Sequence, residues 1–401
     1  MQGYVAGVSS AKPLDGVLVV SIEQAVAGPL ASCRLADAGA RVIKIERAEG
    51  DFSRGYDAAA DGLSSYFAWL NRGKESIVLD LKDEDDQSLL GRMIEQAEVC
   101  IQNLAVGAAE RLGFGSGSLR NRHPRLVTCD ISGYGPTGPY AQMKAYDLLV
   151  QAESGLVSVS GAPGPLGRVG VSVADIATGE AAARAISQAL VRQARTGEGA
   201  AIEVSLFSTM AEWMTVPLLH HDYLGKGPER VGLAHPSIAP YGGFTTADGT
   251  TLLIAVQSDR EWVTLCETVL GQPELAHDPR FATNKARVTN RAGTDDAVAE
   301  VFARLSTEDL RRKLTDSRMA FGTVNDVAGL STHPQLNRIT VTHADGTVEI
   351  PPPPHLTRTP VPHADGPVDP PAPATTADWD QATAADAPSL PALNQHGPQI
   401  R

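Results

Sequence analysis

The stretch "GYGPTGPYAQMKAYDLLVQAESG", Gly133 to Gly155, offers two kinds of chemistry. Gly133, Gly135 and Gly138 have the G-x-G-x-x-G spacing of a pyrophosphate-binding turn, and they follow an apolar run, Leu126 to Cys129, that reads as a buried strand. A dinucleotide site needs a helix to start inside the glycine triplet, so that its free N–H groups and dipole face the phosphates. Pro136 and Pro139 oppose this, because a proline disfavours helical backbone in the residue before it. The next helix is predicted from about Tyr146, which makes the segment a strand, a glycine-proline loop and a short helix. The other chemistry is that of a carboxylate. Asp147 stands at the predicted helix start, where the dipole favours a negative charge. Gln151 and Ser154 share its polar face, opposite Leu149 and Val150. A desolvated, well-placed carboxylate is a competent covalent catalyst. The plainer alternative is that Asp147 is an N-cap, and the residues alone leave both open.

The elements that would position Asp147 follow an α/β pattern. "GVLVVSIEQAVAGPLASCRLADAGARVIKIE" reads strand (Val17–Ile22), loop, helix, strand (Val42–Ile45), with Pro29 near the helix start and Gly39 at its end. "SIVLDL", "EVCIQNL" and "RLVTCDIS" are further strands, and "DEDDQSLLGRMIEQA" is a helix between the first two. β-α-β alternation predicts a parallel sheet covered by helices. An alanine-rich helix follows Asp175 and ends at Gly197; then come the strand "AAIEV" and a single helix, "SLFSTMAEWMTVPLLHHDYL". From about Gly225 the texture changes to an antiparallel hairpin around Ala247-Asp248-Gly249 and charged helices between Asp259 and Asp316. Prolines crowd the segment from Pro351 to Arg401, which reads as an extended strap or a tail, with "VEI" and "LPALNQH" ordered enough to dock.

A chain of 401 residues can bury a large core and hold two domains. Its net charge of −13 excludes a broad nucleic-acid surface but not an anionic small ligand held by a few local cations. Cys33, Cys100, Cys129 and Cys266 lie far apart, so neither a disulfide framework nor a metal site is expected. With no signal-like start and no apolar run of membrane-spanning length, a cytoplasmic protein is expected.

Five segments in this order, "AGPLASCRLADAGARVIKIE", "NRGKESIVLDLK", "IQNLAVGAAERLGFG", "GYGPTGPYAQMKAYDLLVQAESG" and "RTGEGAAIEVSLF", resemble the class III CoA-transferases, the family of formyl-CoA transferase and the carnitine CoA-transferase. "FGTVNDVAGLSTHPQL" resembles that family's return segment and "LPALNQHG" its C-terminal element. The resemblance implies a Rossmann-like large domain with a parallel sheet, a smaller α+β domain, and an interlocked homodimer. Applied to this chain it gives a large CoA-binding domain over 1–205, a linker helix over 206–224, a small domain over 225–322 and a return segment with a proline-rich strap over 323–401. It implies an enzyme with no permanently bound cofactor, whose substrates are an acyl-CoA and a small carboxylic acid.

The same resemblance makes Asp147 the nucleophile, passing through a mixed anhydride and an aspartyl-CoA thioester. It sets the adenosine end of CoA against Arg47, Asn71, Arg72, Gly73, Lys74, Asn103, Leu104, Ala105 and Arg111, and Val26 and Ala27 along the active-site loop. Arginine and lysine suit phosphates, and guanidinium planes also stack on a base. Val26 replaces the glutamine of formyl-CoA transferase and cannot hydrogen-bond substrate through its side chain; Leu104-Ala105-Val106 departs from the family's Phe-Arg-Pro. Backbone N–H groups of Gly133 and Tyr134 are candidate oxyanion donors. His220-His221 reads as a helix-end pair, while His235 lies in a family region that can face the acyl group. Arg168 and Arg230 are candidate carboxylate clamps. "RVGLAHPSIAPYGGF" resembles relatives acting on small dicarboxylates, and the lack of a glycine-rich run disfavours oxalate. Two other functions remain. α-Methylacyl-CoA racemases share the fold, but they carry histidine where this chain has Tyr146, a poor base near neutrality, although Asp175 matches their second position. A non-catalytic acyl-CoA-binding protein is the other.

Overall fold

The computed structural model describes residues 12–344 and 346–354. Expectations for the proline-rich strap and for "LPALNQH" lie outside the described residues. Contacts divide the chain into two compact units. One takes in residues 12–154, Gly170–Trp213, 337–344 and 346–354; the other is Gly155–Val169 with Met214–Leu336.

The first unit is built on six parallel strands: β1 (Leu18–Ile22), β2 (Arg41–Glu46), β3 (Lys74–Val78), β4 (Val99–Gln102), β5 (Val127–Ser132) and β6 (Ala201–Ser205). Their order is β3-β2-β1-β4-β5-β6. The chain therefore builds outward from β1 in one direction and returns through β4 in the other, the doubly wound arrangement in which ligands bind at the carboxyl ends of the strands near the reversal. Strands β1 and β2 are buried along nearly their whole length, which is why they read as apolar runs rather than alternating ones.

Helices α1 (Ala27–Asp37), α2 (Ser65–Leu70), α3 (Glu84–Gln96), α4 (Ala108–Arg111), α5 (Ser116–Arg122) and α6 (Asp147–Glu153) follow in chain order. After α7 (Leu156–Val159), which lies in the second unit, the 24-residue α8 (Val173–Thr196) crosses back to β6. Helix α3 contributes Leu89, Leu90, Met93 and Ile94 to the core beneath β1, β2 and β3. Helices α1 and α8 pack closely on each other. A Cβ at Gly179 would lie 2.8 Å from both the Ala27 carbonyl oxygen and the Leu30 Cβ, so only glycine allows this approach. A hairpin of β10 (Ile339–His343) and β11 (Gly346–Ile350), which contains the expected "VEI", packs Val341 and Ile350 against Phe67 and Ala68 of α2.

The second unit holds an antiparallel sheet of β7 (Tyr241–Thr245), β8 (Thr251–Ala255) and β9 (Ala320–Thr323). Thr246 to Thr250 close the expected hairpin, with Gly249 at φ +83°. One expectation is corrected: the single helix over 205–224 is two helices, α9 (Leu206–Trp213) and α10 (Thr215–Leu224). Pro217 is the reason, since its ring would meet the carbonyl of Trp213 in a continuous helix and it has no N–H to donate. No helix among the described residues is long and apolar enough to cross a membrane.

Candidate active site

The loop after β5 contains no helix until Asp147, so the glycine triplet does not form a dinucleotide turn. Gly133 serves another purpose. A Cβ there would lie 2.1 Å from the Cβ of Ala145, so the glycine lets the returning loop close against the end of β5 and set down α6 beside it. Tyr134 packs edge-on to Tyr140, with ring centroids 5.4 Å apart, and against Phe207.

Asp147 is the first residue of α6, after an extended Tyr146, and is 8 % exposed. It does not cap its own helix. Its Oδ2 accepts from Gln151 Nε2 at 2.7 Å. Its Oδ1 accepts from the backbone N–H of Ala174 at 2.7 Å and of Asp175 at 3.4 Å. Those N–H groups belong to the first turn of α8, so Asp147 caps α8 from a separate helix. On α6 Asp147, Val150 and Gln151 are buried, whereas Leu148 and Leu149 are exposed.

Asp175, in the same turn of α8, is the residue that sequence reasoning underused. No side chain or N–H among the described residues donates to its carboxylate. Burial, and then the charge of Asp147, push its carboxyl up from 3.8 to about 7. Two carboxylates thus meet at one helix end, one with donors on both oxygens and one with none. The sequence signal was an aspartate in the first turn of a long alanine-rich helix, which by itself is indistinguishable from dipole complementation.

An aromatic edge borders the pair. Tyr66 lies T-shaped to Tyr56, with centroids 5.5 Å apart, and its hydroxyl is 3.0 Å from Ser172 Oγ. Phe52 and Trp69 extend the edge on either side. Burial first, then the charges of Asp51 and Asp175, push the Tyr56 hydroxyl up to about 12. Val26 is buried among Tyr66, Trp69 and Ile176, and Ala27 turns its carbonyl toward Gly179. The structure therefore brings Val26 and Ala27 to the same end of α8 as Asp147.

A cavity of about 700 Å³ opens over the carboxyl ends of β1, β2 and β3. Gln24, Arg47, Asp80, Lys82, Leu104 and Leu112 are among its lining residues. Arg47 is exposed and donates from Nε to the Gly50 carbonyl at 3.3 Å; Ala105 and Arg111 are exposed on the loop and short helix after β4.

The expected phosphate contacts at Asn71, Arg72 and Lys74 are not surface groups. Arg72 is 1 % exposed, with its guanidinium held by Asp37 and the Trp69 carbonyl. Lys74 Nζ donates to Glu23 Oε1 at 2.7 Å, to the Pro29 carbonyl at 2.9 Å and to Asn71 Oδ1 at 3.2 Å. Burial alone would raise Glu23, but Lys74 and Lys44 override it and hold the carboxyl at about 2. Lys44 in turn reaches Asp51 at 2.7 Å. These cations are neutralised inside the fold. Gly73, at φ +72°, makes the turn that brings Lys74 inward. Asn103 also works internally: its Oδ1 accepts from Gln24 N and its Nδ2 donates to Gln24 O, which pins the loop after β1.

Within the second unit His235 stacks on Tyr241 with centroids 5.3 Å apart and accepts from Ser237 N–H at 3.1 Å. Arg230 donates to the carbonyls of Pro165 and Gly164, and Arg168 is exposed. Among the described residues no group of three His, Cys, Asp or Glu is placed to hold a metal ion.

Known proteins match this arrangement. The CoA-transferase family III matches residues 14–396. A succinate–glutarate CoA-transferase of Agrobacterium fabrum is 36% identical over 349 residues, covering 84% of this chain and 87% of its own. An acetyl-CoA:oxalate CoA-transferase of Acetobacter aceti is 37% identical over 342 residues, with the same coverage of each. The crystal structure of a CaiB/BaiF family protein from Brucella suis superposes with a TM-score of 0.76 at 34% identity, covering 98% of this chain and 99% of that one. The chain belongs to the CoA-transferase family III, and it is a transferase that acts on CoA thioesters.

Proposed function

We propose that this enzyme moves CoA from an acyl-CoA donor to a small dicarboxylic acid, and that the covalent step belongs to the Asp147–Asp175 pair with Asp175 attacking. The single observation that carries this assignment is the unequal treatment of the two carboxylates. A carboxylate whose oxygens are both occupied by donors is a weak nucleophile. One that is partly desolvated, unbonded and raised in basicity is a better one. The nucleophile expected from the sequence, Asp147, instead anchors the site and supplies the neighbouring charge.

The steps balance without a further reactant. A carboxylate oxygen of Asp175 attacks the thioester carbonyl, the C–S bond breaks, and CoA leaves as thiolate, giving a mixed anhydride. The thiolate then attacks the aspartyl carbonyl and expels the donor acid, giving an aspartyl-CoA thioester. The acceptor carboxylate reverses both steps and leaves as its CoA ester, returning Asp175. Backbone N–H groups at Gly133 and Tyr134 remain the proposed oxyanion donors. Arg47, Leu104, Ala105 and Arg111 are the proposed adenosine contacts, with Asn71, Arg72, Gly73, Lys74 and Asn103 shaping that region from within.

The dicarboxylate class rests on relatives named for succinate, glutarate and oxalate. Because the oxalate-named relative is as similar as the glutarate-named one, the missing glycine-rich run gives no reason to exclude oxalate. Racemisation is disfavoured because Tyr146, in place of the racemase histidine, is 61% exposed. A homodimer and a reducing, cytoplasmic setting belong to the same reading. Helix α10 buries none of its residues yet exposes Val216, Leu218, Leu219 and Tyr223, an apolar surface typical of an association face. All four cysteines are buried and free.

Incubation with succinyl-CoA followed by hydroxylamine tests the assignment. Peptide mass mapping is expected to find the hydroxamate on Asp175. A hydroxamate on Asp147 moves the attack back to that residue, and turnover with a hydroxamate on neither removes the covalent mechanism.

A further inference from the structure

Helix α8 begins at a residue suited to cap it, and that residue is not used. Ser172 occupies its N-cap, where a serine hydroxyl ordinarily accepts from the second or third N–H of the helix. Here Ser172 makes no such bond. Its backbone, at φ −74° and ψ 64°, closes an inverse γ-turn in which Val173 N–H donates to the Val171 carbonyl at 2.8 Å. Its hydroxyl pairs with that of Tyr66 instead. The second and third N–H groups, on Ala174 and Asp175, go to Asp147.

Two groups therefore compete for one helix end. A carboxylate gains more from the dipole of a long helix than a neutral hydroxyl does. Asp147, however, must be brought there by tertiary structure, whereas Ser172 is the adjacent residue. We propose that Tyr66 is a positioning residue for the transfer reaction: by engaging the Ser172 hydroxyl it leaves the start of α8 to Asp147, and so keeps Asp147 beside Asp175. Tyr66 is itself fixed by its packing on Tyr56 and Trp69, and α2, which carries it, is capped by Ser64. The inference rests on the carboxylate-pair reading.

The test is a two-residue cycle with succinyl-CoA and glutarate as the substrates, each variant being checked by thermal unfolding. Tyr66→Phe keeps the ring and frees Ser172. Its kcat is expected to fall at least about fivefold, the scale of one hydrogen bond, with KM for succinyl-CoA within about twofold of wild type. Adding Ser172→Ala to Tyr66→Phe removes the competitor, so kcat is expected to return to within about twofold of the Ser172→Ala single variant. A Tyr66→Phe enzyme with wild-type kcat overturns the inference. So does a double variant as slow as Tyr66→Phe, which is the result if the hydroxyl acts on substrate. Should Tyr66→Phe fold poorly, Ser172→Asn installs a comparable neutral cap on a longer side chain that no longer carries the hydroxyl paired with Tyr66; kcat is then expected to fall while the melting temperature holds, and an unchanged kcat overturns the inference. The pattern of rescue is independent of which aspartate carries the hydroxamate, so failure here and failure of the covalent assignment are separate results.

Discussion

Replacing Asp175 by asparagine is expected to abolish turnover and at the same time to stabilise the folded chain above neutral pH. The carboxyl ionises near 3.8 when unconstrained and at about 7 in the fold, raised first by burial and then by Asp147. Below pH 4 it is protonated in both the folded and the unfolded chain, and the shift costs nothing. Between about pH 4 and pH 7 the unfolded chain releases a proton that the folded chain retains, so wild-type stability declines as pH rises. Each unit of pH over that window removes up to about 1.4 kcal/mol, and the loss levels off above pH 7 at no more than about 4 kcal/mol. Asparagine has no such titration. The advantage of Asp175→Asn over wild type should therefore be small at pH 4.5, widen through pH 6, and become constant above pH 7.5. Urea unfolding of both proteins across pH 4.5–8.5, at one ionic strength, measures it. A difference that stays flat across that range refutes the argument, because any packing effect of the amide is independent of pH whereas the cost of ionising a half-buried carboxyl beside another is not.

Asp147→Asn keeps an oxygen for the Ala174 N–H but removes the charge, so the Asp175 carboxyl should drop below about 7 and the acid limb of the kcat/KM profile should move to lower pH; an unmoved limb contradicts the pairing. Gly179→Ala gains helix propensity but places a Cβ 2.8 Å from the Ala27 carbonyl oxygen, and the net loss should be about 1–2 kcal/mol in urea unfolding. Glu23→Gln leaves Lys74 and Lys44 short of an anion in the core and should cost roughly 3–5 kcal/mol at pH 7; the wild-type contribution should itself fade as pH falls from about 4.5 toward 2. Arg47→Ala should raise KM for acyl-CoA about tenfold with kcat little changed, consistent with a charge that binds rather than reacts.

The sheet was legible because β1 and β2 are buried on both faces, and "GVLVV" and "RVIKIE" have no other stable use than as the interior of a parallel sheet. The break in the helix over 205–224 was legible too, had Pro217 been weighed against the apolar run around it. The site was less so, for a physical reason. Charge is written in the sequence, but the partner that neutralises it is not. Arg72 and Lys74 have the composition of a phosphate-binding surface, and only folding brings Asp37, 35 residues away, and Glu23, 51 residues away, to meet them inside the protein. The same limit decides the assignment of the nucleophile. A helix capped by its own neighbour has a local signature, and Ser172 at the start of α8 supplies one. A helix capped by a carboxylate 27 residues earlier has none, so Asp147 reads as the reactive group and Asp175 as an ordinary first-turn acid. Under the proposed reading the roles exchange once the two share one helix end, because an anion can either satisfy the N–H groups of that end or keep its lone pairs for a thioester carbon. Asp147 does the first, which is the ground for proposing Asp175 for the second.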